Sequence, residues 1–321
     1  MAGSRSDERR DDVALTNLDQ PLFDGTDITK RALVDYLDGV RDRIIPVLHD
    51  RPLSVIRATH GQATFMQKNI PKYTPDFVER IPLWAEASKR TVSYALCNSR
   101  RTLLWFANQR AIEYHPTLGR VDHLEHATHL VLDLDPPSGD DFPRTVAVAH
   151  LVRQALDDLG LAGSIKTSGA KGLHIVVPVD PVFSMEDTAA ATRAIARHAE
   201  LLDPTMATTA FLKADRDDKI FVDATRTGGA TVVACYSPRA RPGLPVSFPV
   251  AWDDIDSVSP ADFTITNALD QLGDADPWAT ALPEPQTLSA DLIAAGHEIP
   301  VPRVAAMHEG KRRAKARRDD H

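Results

Sequence analysis

The spacing of apolar residues along the chain predicts its elements before any chemistry is considered. Leu33, Leu37, Val40 and Ile44 recur at helical spacing behind Thr29, a residue type that caps helix starts, so a helix is expected from Thr29 until Pro46 ends it. Such a stripe must pack on something, which makes this helix a structural support. Residues 53–57 and 64–67 read as strands, and residues 102–109 are apolar enough to be buried. His129–Asp135 is a short apolar run stopped by Pro136-Pro137, the pattern of an interior strand ending at a loop. A helix follows, with Val146, Ala149, Val152, Leu156 and Leu159 on its apolar face and Gly160 at its end. Strands are expected at Ser164–Thr167 and 173–179, a helix at Met185–Leu202, and strands again at 219–223 and 231–236.

This order, β-α-β-β-α-β-β, predicts an α/β or α+β protein with a mixed central sheet packed on helices. Residues 1–14 form a charged leader expected to be disordered, and residues 15–300 one domain. Within that domain, a mixed module extends to about residue 120, the sheet occupies 121–256, and a Pro- and Asp-rich wrap with short helical pieces covers 257–300. A basic tail over 301–321, containing Lys311-Arg-Arg-Ala-Lys-Ala-Arg-Arg318, is expected to be disordered. No repeat of solenoid period is present.

Composition narrows the class. With 321 residues and 43% hydrophobic content the chain can build an enzyme-sized core. Cys97 and Cys235 are the only cysteines, too few for a disulfide framework, so a reducing compartment is expected. The N-terminus is charged where a signal peptide needs an apolar run, and no segment approaches the ~20 apolar residues of a membrane span. The net charge of −8 argues against a uniformly basic surface, but phosphate binding is local and the sum does not exclude a nucleic-acid partner.

Asp133 and Asp135 lie two apart on the expected strand, so their carboxylates share a face. Two like charges a few ångströms apart beside apolar neighbours are costly without a cation, which points to Mg²⁺ or Mn²⁺. The plainer reading is that one caps the Pro-Pro turn and the other is solvated. Asp223 ends the apolar run Lys219-Ile-Phe-Val-Asp223 in the same manner, and three carboxylates at neighbouring strand ends can hold two metals. Ser168-Gly-Ala-Lys-Gly172 suits a phosphate-binding concavity and equally a plain hairpin turn; it lacks the P-loop pattern. His174 is either a ligand contact or a core histidine. His123, His126 and His129 have a spacing compatible with zinc, but that spacing is common by chance and no glutamate stands in the zincin position.

Taken in order, Leu-Thr-Asn17, Asp133-Leu-Asp135-Pro, Lys166-Thr-Ser-Gly-Ala-Lys171-Gly-Leu-His174, Val222-Asp223 and Tyr236-Ser-Pro-Arg239-Ala-Arg241-Pro-Gly resemble the polymerase domain of bacterial ligase D, a branch of the archaeo-eukaryotic primase superfamily. The resemblance runs from about Leu15 to Asp256 and looks like a stand-alone primase-polymerase relative with an RRM-like central sheet. It implies that Asp133, Asp135 and Asp223 ligate two catalytic Mn²⁺ or Mg²⁺ ions. Ser168, Lys171 and His174 would then hold a nucleoside triphosphate, with Arg226 and Arg239 as further phosphate contacts and His115 near the ribose 2′-hydroxyl, consistent with a preference for ribonucleotides. Asn17 and Lys30 match residues that hold a downstream 5′-phosphate at a gap or break, and Arg57 and Phe65 match the template-contacting region.

The resemblance therefore implies a DNA-directed nucleotidyltransferase in gap filling, end joining or priming. Implied partners are primer-template or broken DNA, nucleoside triphosphates and Ku or a separate ligase, for a monomer in the cytoplasm at the nucleoid. Two departures stand out. Gln20 occupies a position where relatives often carry a second lysine, leaving a pocket with one lysine and weak 5′-phosphate recognition. Phe65-Met66 replaces paired aromatics. Competing readings are a phosphohydrolase of the haloacid dehalogenase type, disfavoured by Pro136-Pro137 directly after the second aspartate, and a non-catalytic DNA-end module, disfavoured because all three carboxylates are present.

Overall fold

The computed structural model describes residues 8–23, 25–59, 62–85 and 89–301. Along them run β1 (Glu8–Arg10), β2 (Val13–Leu15), α1 (Lys30–Gly39), α2 (Arg41–Leu48), β3 (Leu53–Thr59), β4 (Gln62–Gln67), β5 (Arg80–Ala85), β6 (Arg90–Ala95), α3 (Arg100–Asn108) and β7 (Ala111–Pro116). Then follow β8 (His129–Asp135), α4 (Phe142–Asp158), β9 (Ser164–Thr167), β10 (Leu173–Pro178), α5 (Met185–Leu202), β11 (Ala207–Thr208), β12 (Ile220–Asp223), β13 (Pro249–Val250), α6 (Ala268–Leu272), α7 (Pro277–Ala281) and α8 (Ala290–Glu298). Contacts gather these residues into two units. The first holds residues 8–124, Lys166–Ala170 and Thr231–Ala281; the second holds Glu125–Ile165, Lys171–Ala230 and residues 282–301.

In the first unit β4, β3, β6 and β5 form a sheet in that order, and β7 also pairs with β3. Helices α1 and α3 pack together beside it, burying Leu33, Val34, Leu37, Leu103, Leu104 and Phe106 almost completely, each worth about 2 kcal/mol of apolar burial. Thr29 caps α1 as expected, its hydroxyl accepting from the Ala32 N–H. The helix ends at Gly39, earlier than Pro46, and a second short helix, α2, contains that proline. The stripe continues because Val40 and Ile44 stay buried through the break. Of residues 102–109, expected to be buried, 102–107 are, and they lie in the helix α3, capped by Ser99; Asn108 and Gln109 at its end are half-buried. The hairpin β1–β2, all but Leu15, falls in the segment 1–14 expected to be a disordered leader. Arg10 ties it down through Glu8, Asp35 and Asp38, while Val13 and Leu15 are buried. The rest of that leader and the basic tail beyond residue 301 lie outside the described residues. The strand expected at 231–236 does not form as such. Val232 and Ala234 donate to carbonyls of β7, but Tyr236 adopts a positive φ of 68° and the pairing stops.

In the second unit β11, β12, β8 and β10 lie side by side in that order. β11 is parallel to β12 and the other pairs are antiparallel, which makes the sheet mixed. Helices α4 and α5 pack against it, and α8 packs on α5. The α5–α8 approach is so close that a Cβ at Gly296 would stand 1.9 Å from the Ala190 carbonyl oxygen. Among the described residues, no helix is long and apolar enough to cross a membrane.

Candidate active site

The HLVLDLD run forms β8 because apolar residues fill both of its faces until the carboxylates near its end, where Pro136 cannot continue the ladder. β8 has β10 on one side and β12 on the other, and the register sets His174 of β10 and Asp223 of β12 both directly opposite Asp133. Cross-strand partners share a face, so His174, Asp133 and Asp223 stand in one row, with Asp135 on the same face two residues along. The Asp135 side chain is 40% exposed against 14% for Asp133.

Each carboxylate is met by a side-chain cation. Arg226 reaches both aspartates of the row, donating from Nε to Asp133 Oδ2 at 3.0 Å and lying 3.4 Å from Asp223 Oδ2. His174 Nε2 lies 3.3 Å from Asp133 Oδ1. Burial pushes the Asp133 carboxyl up, but His174 and Arg226 outweigh it and hold the group well below the usual carboxylate range. Asp223 shifts the other way. Burial pushes it up against the Thr225 hydrogen bonds and Arg226, and the neighbouring Asp133 charge adds to the rise. Asp135 faces Lys171 Nζ at 3.5 Å and Arg216 Nη1 at 3.6 Å. Arg216 stacks 3.8 Å from the centroid of Phe221, the residue opposite Asp135 on β12.

Among the described residues, no three His, Cys, Asp or Glu side chains converge closely enough to hold a metal ion as they stand. This applies to the histidines as well: His126 pairs with the Phe183 carbonyl and His129 with the Thr128 hydroxyl. The carboxylate row nonetheless fits a hard divalent cation by its donors. It offers oxygens without thiolate, and like charges packed side by side are tolerated only against positive charge. Arg226 supplies that charge here, and its side chain is 42% exposed, so it can withdraw without opening the core.

The turn before β10 is shaped by this packing. A Cβ at Gly172 would stand 2.0 Å from the Leu134 carbonyl oxygen, so only glycine lets the chain enter β10 beside β8. Lys171, next to it, donates to the Pro136 carbonyl at 2.6 Å, which holds its ammonium at the end of β8.

A family model described as LigD, primase-polymerase domain, matches residues 29–278. The chain belongs to this family. Bifunctional non-homologous end joining protein LigD of Bacillus subtilis is 34% identical over 265 residues, 81% of this chain and 42% of that protein. Multifunctional non-homologous end joining protein LigD of Mycolicibacterium smegmatis is 32% identical over 270 residues, 83% of this chain and 35% of that protein. The chain thus spans about two fifths or less of the length of these LigD relatives. Among solved structures, the polymerase domain from Mycobacterium tuberculosis ligase D in complex with DNA matches with a TM-score of 0.76 and 30% identity, covering 86% of this chain and 98% of that one.

The remaining site residues expected of a LigD primase-polymerase domain lie in the first unit. His115 Nε2 pairs with Glu113 Oε2 at 2.8 Å, and Arg239 Nε donates to the same oxygen at 3.0 Å. The other Glu113 oxygen accepts from the Ala240 N–H at 2.9 Å. Arg239 also donates to the Ser168 carbonyl and lies over Gly169, where a Cβ would stand 2.7 Å from its Cγ. Glu113 therefore fixes both His115 and Arg239. It went unnoticed in sequence, although a glutamate two residues before a histidine in a strand shares that residue's face. Arg57 and Phe65 are direct cross-strand partners, with the guanidinium 5.8 Å from the ring centroid. Phe65 and Met66 are both exposed. Asn17 adopts a positive φ of 53°. Lys30 Nζ donates to the Thr16 carbonyl and to Asn108 Oδ1, each at 2.6 Å.

Proposed function

We propose that the chain is a template-directed nucleotidyltransferase that extends primer 3′ ends at gaps or breaks in DNA, ribonucleotides by preference. The observation that carries this reading is the row His174–Asp133–Asp223 on adjacent strands, with Asp135 beside it, in a chain of the LigD primase-polymerase family. Asp133, Asp135 and Asp223 would hold two divalent cations, Mn²⁺ or Mg²⁺. Such ions supply Lewis acidity at the attacking 3′-hydroxyl and neutralise charge on the leaving pyrophosphate. His174 and Arg226, which balance the carboxylates in the free chain, turn to the triphosphate together with Lys171. Ser168 and Arg239 are further phosphate contacts, and His115, oriented by Glu113, approaches the ribose 2′-hydroxyl. Arg57 and Phe65 meet the template, while Asn17 and Lys30 hold a downstream 5′-phosphate. In an end-joining setting a Ku-type partner and a ligase complete the repair.

The test is primer extension on gapped, nicked and unprimed templates, with ribonucleotides against deoxyribonucleotides and with each of Asp133→Ala, Asp135→Ala and Asp223→Ala. Metal-dependent addition of templated nucleotides that all three variants lose is the expected result. Release of phosphate from monoesters without any primer extension would overturn the reading in favour of a phosphohydrolase.

A further inference from the structure

The segment Thr16–Leu22 is gripped at both ends by cations from elsewhere in the first unit. Lys30 Nζ holds the Thr16 carbonyl at 2.6 Å, and the Lys30 backbone N–H donates to the Gln20 carbonyl at 2.9 Å. Arg110 takes the other end. Its Nη1 donates to the Pro21 and Leu22 carbonyls at 3.0 and 2.8 Å, and its Nη2 donates to Gln20 Oε1 at 2.9 Å. Among the described residues neither Lys30 nor Arg110 makes an ion pair. Their neighbour Arg31, by contrast, is matched by Glu8 and Asp19. Two cations held by neutral oxygens alone, with no carboxylate beside them, form a locus of positive charge against one short segment, to which an anion would be attracted.

Arg110 also sits where an arginine is not the easy choice. It follows α3 with a φ of 58°, a left-handed conformation that glycine adopts at less expense. Asn108, two residues earlier, accepts from Lys30 and from the Thr16 N–H and donates to the Ala14 carbonyl, so the end of α3 fixes the positions of both cations.

We propose that Arg110 is a phosphate-binding residue, acting with Lys30, Asn17 and Gln20 as the second cation of a site for a terminal phosphomonoester. The inference rests on the proposed function for the choice of a DNA 5′-phosphate as ligand. Gln20 is then not a lost charge. It is the neutral acceptor that orients the guanidinium, while the remaining N–H groups of the fork face the phosphate oxygens. Burial, with the Arg110 charge adding to it, brings the Lys30 ammonium down to about 8.

The test compares binding of gapped DNA carrying a 5′-phosphate or a 5′-hydroxyl, with inorganic phosphate as competitor. Arg110→Gln should cut the preference for the phosphorylated gap at least tenfold, as the loss of a charge-assisted hydrogen bond does, and Arg110→Lys should recover part of it. Gln20→Glu separates binding from scaffolding. It keeps Arg110 in place and gives it a carboxylate, so a structural clamp tightens whereas an anion site is neutralised and its preference falls. Inorganic phosphate at millimolar concentration should compete only with the phosphorylated gap. A Gln20→Glu or Arg110→Gln chain that retains the wild-type preference overturns the proposal, as does a wild-type chain with no preference. Extension of an open primer-template by the wild-type chain reads the proposed function separately, since that substrate presents no downstream 5′-phosphate.

Discussion

Lys30 gives this chain a titration that can be followed in both stability and binding. Its residue is 2% exposed, and burial, with Arg110 adding, lowers its amine from an ordinary 10.5 to about 8. Below pH 8 the amine is charged in the folded and unfolded chain alike, and folding carries the full penalty of burying it. Between pH 8 and 10.5 the unfolded chain holds a proton that the folded chain has released, so stability rises with pH across that window and levels off above it. At about 1.4 kcal/mol per pH unit the interval is worth about 3 kcal/mol. Urea unfolding of the wild type and Lys30→Met at a series of pH values measures it: the wild-type stability should gain about 3 kcal/mol on the variant between pH 7.5 and 10.5. Parallel curves would refute the argument.

The same titration should appear in binding. A 5′-phosphate is already a dianion above pH 7, its second pKa being about 6, so it takes up no proton itself. It favours the charged amine, and with the free amine half ionised near pH 8, binding should draw about half a proton from the buffer. Calorimetry in buffers of different ionisation enthalpy detects this. Uptake near pH 8 on a phosphorylated gap, absent on a 5′-hydroxyl gap and absent in Lys30→Met, is expected. Equal uptake on both gaps would place the titrating group elsewhere.

Three further outcomes follow from the second unit and from β7. Asp223→Asn should abolish nucleotide addition while leaving thermal stability equal or higher, because it removes a buried charge that stands beside Asp133; a less stable, active variant would contradict this. His115→Ala should lower discrimination between ribo- and deoxyribonucleotides several-fold, the effect of a hydrogen bond of about 1 kcal/mol, and single-nucleotide incorporation kinetics would read it. Gly172→Ala should destabilise the fold by at least about 2 kcal/mol in chemical denaturation, because its Cβ has no room beside the Leu134 carbonyl.

Much of the sheet was legible because its strands carry their own punctuation. His129–Asp135 is a strand with the bounds its apolar run and Pro136-Pro137 suggest, and Met185–Leu202 forms as one helix, capped by Ser184. Where local pattern gave only hydrophobicity, the type of element stayed open. Residues 102–109 are apolar on most sides, and such a run reads equally as strand or helix until its packing on α1 is seen. The break between α1 and α2 was hidden because the apolar stripe continues across it. In the candidate site the aspartates were visible as residues, but the row was not. That His174 and Asp223 both stand opposite Asp133 is a matter of register between strands tens of residues apart. Arg216 was invisible for the same reason, since it lies among acidic loop residues and is brought to Asp135 by stacking on Phe221 and by donating to the Ala210 and Phe211 carbonyls.

The charge around Gln20 shows what kind of inference sequence order misleads most. Between Asn17 and Arg31 the cations are Lys30 and Arg31, and with Arg31 held by Glu8 and Asp19 the segment by itself offers an anion one lysine. Counted in space, the same segment has a second unmatched cation, Arg110, which is 90 positions from Gln20 and hydrogen-bonded to it. A pocket's affinity for a dianion depends on the charges that surround it, and each one lost weakens both binding and its dependence on salt. If Arg110 contributes as the geometry suggests, Arg110→Gln should flatten the salt dependence of binding to the phosphorylated gap by about one counterion while changing the slope on the hydroxyl gap less. Equal slopes for variant and wild type on both gaps would mean that the guanidinium serves only the Thr16–Leu22 segment, and that Lys30 is the pocket's one charge after all.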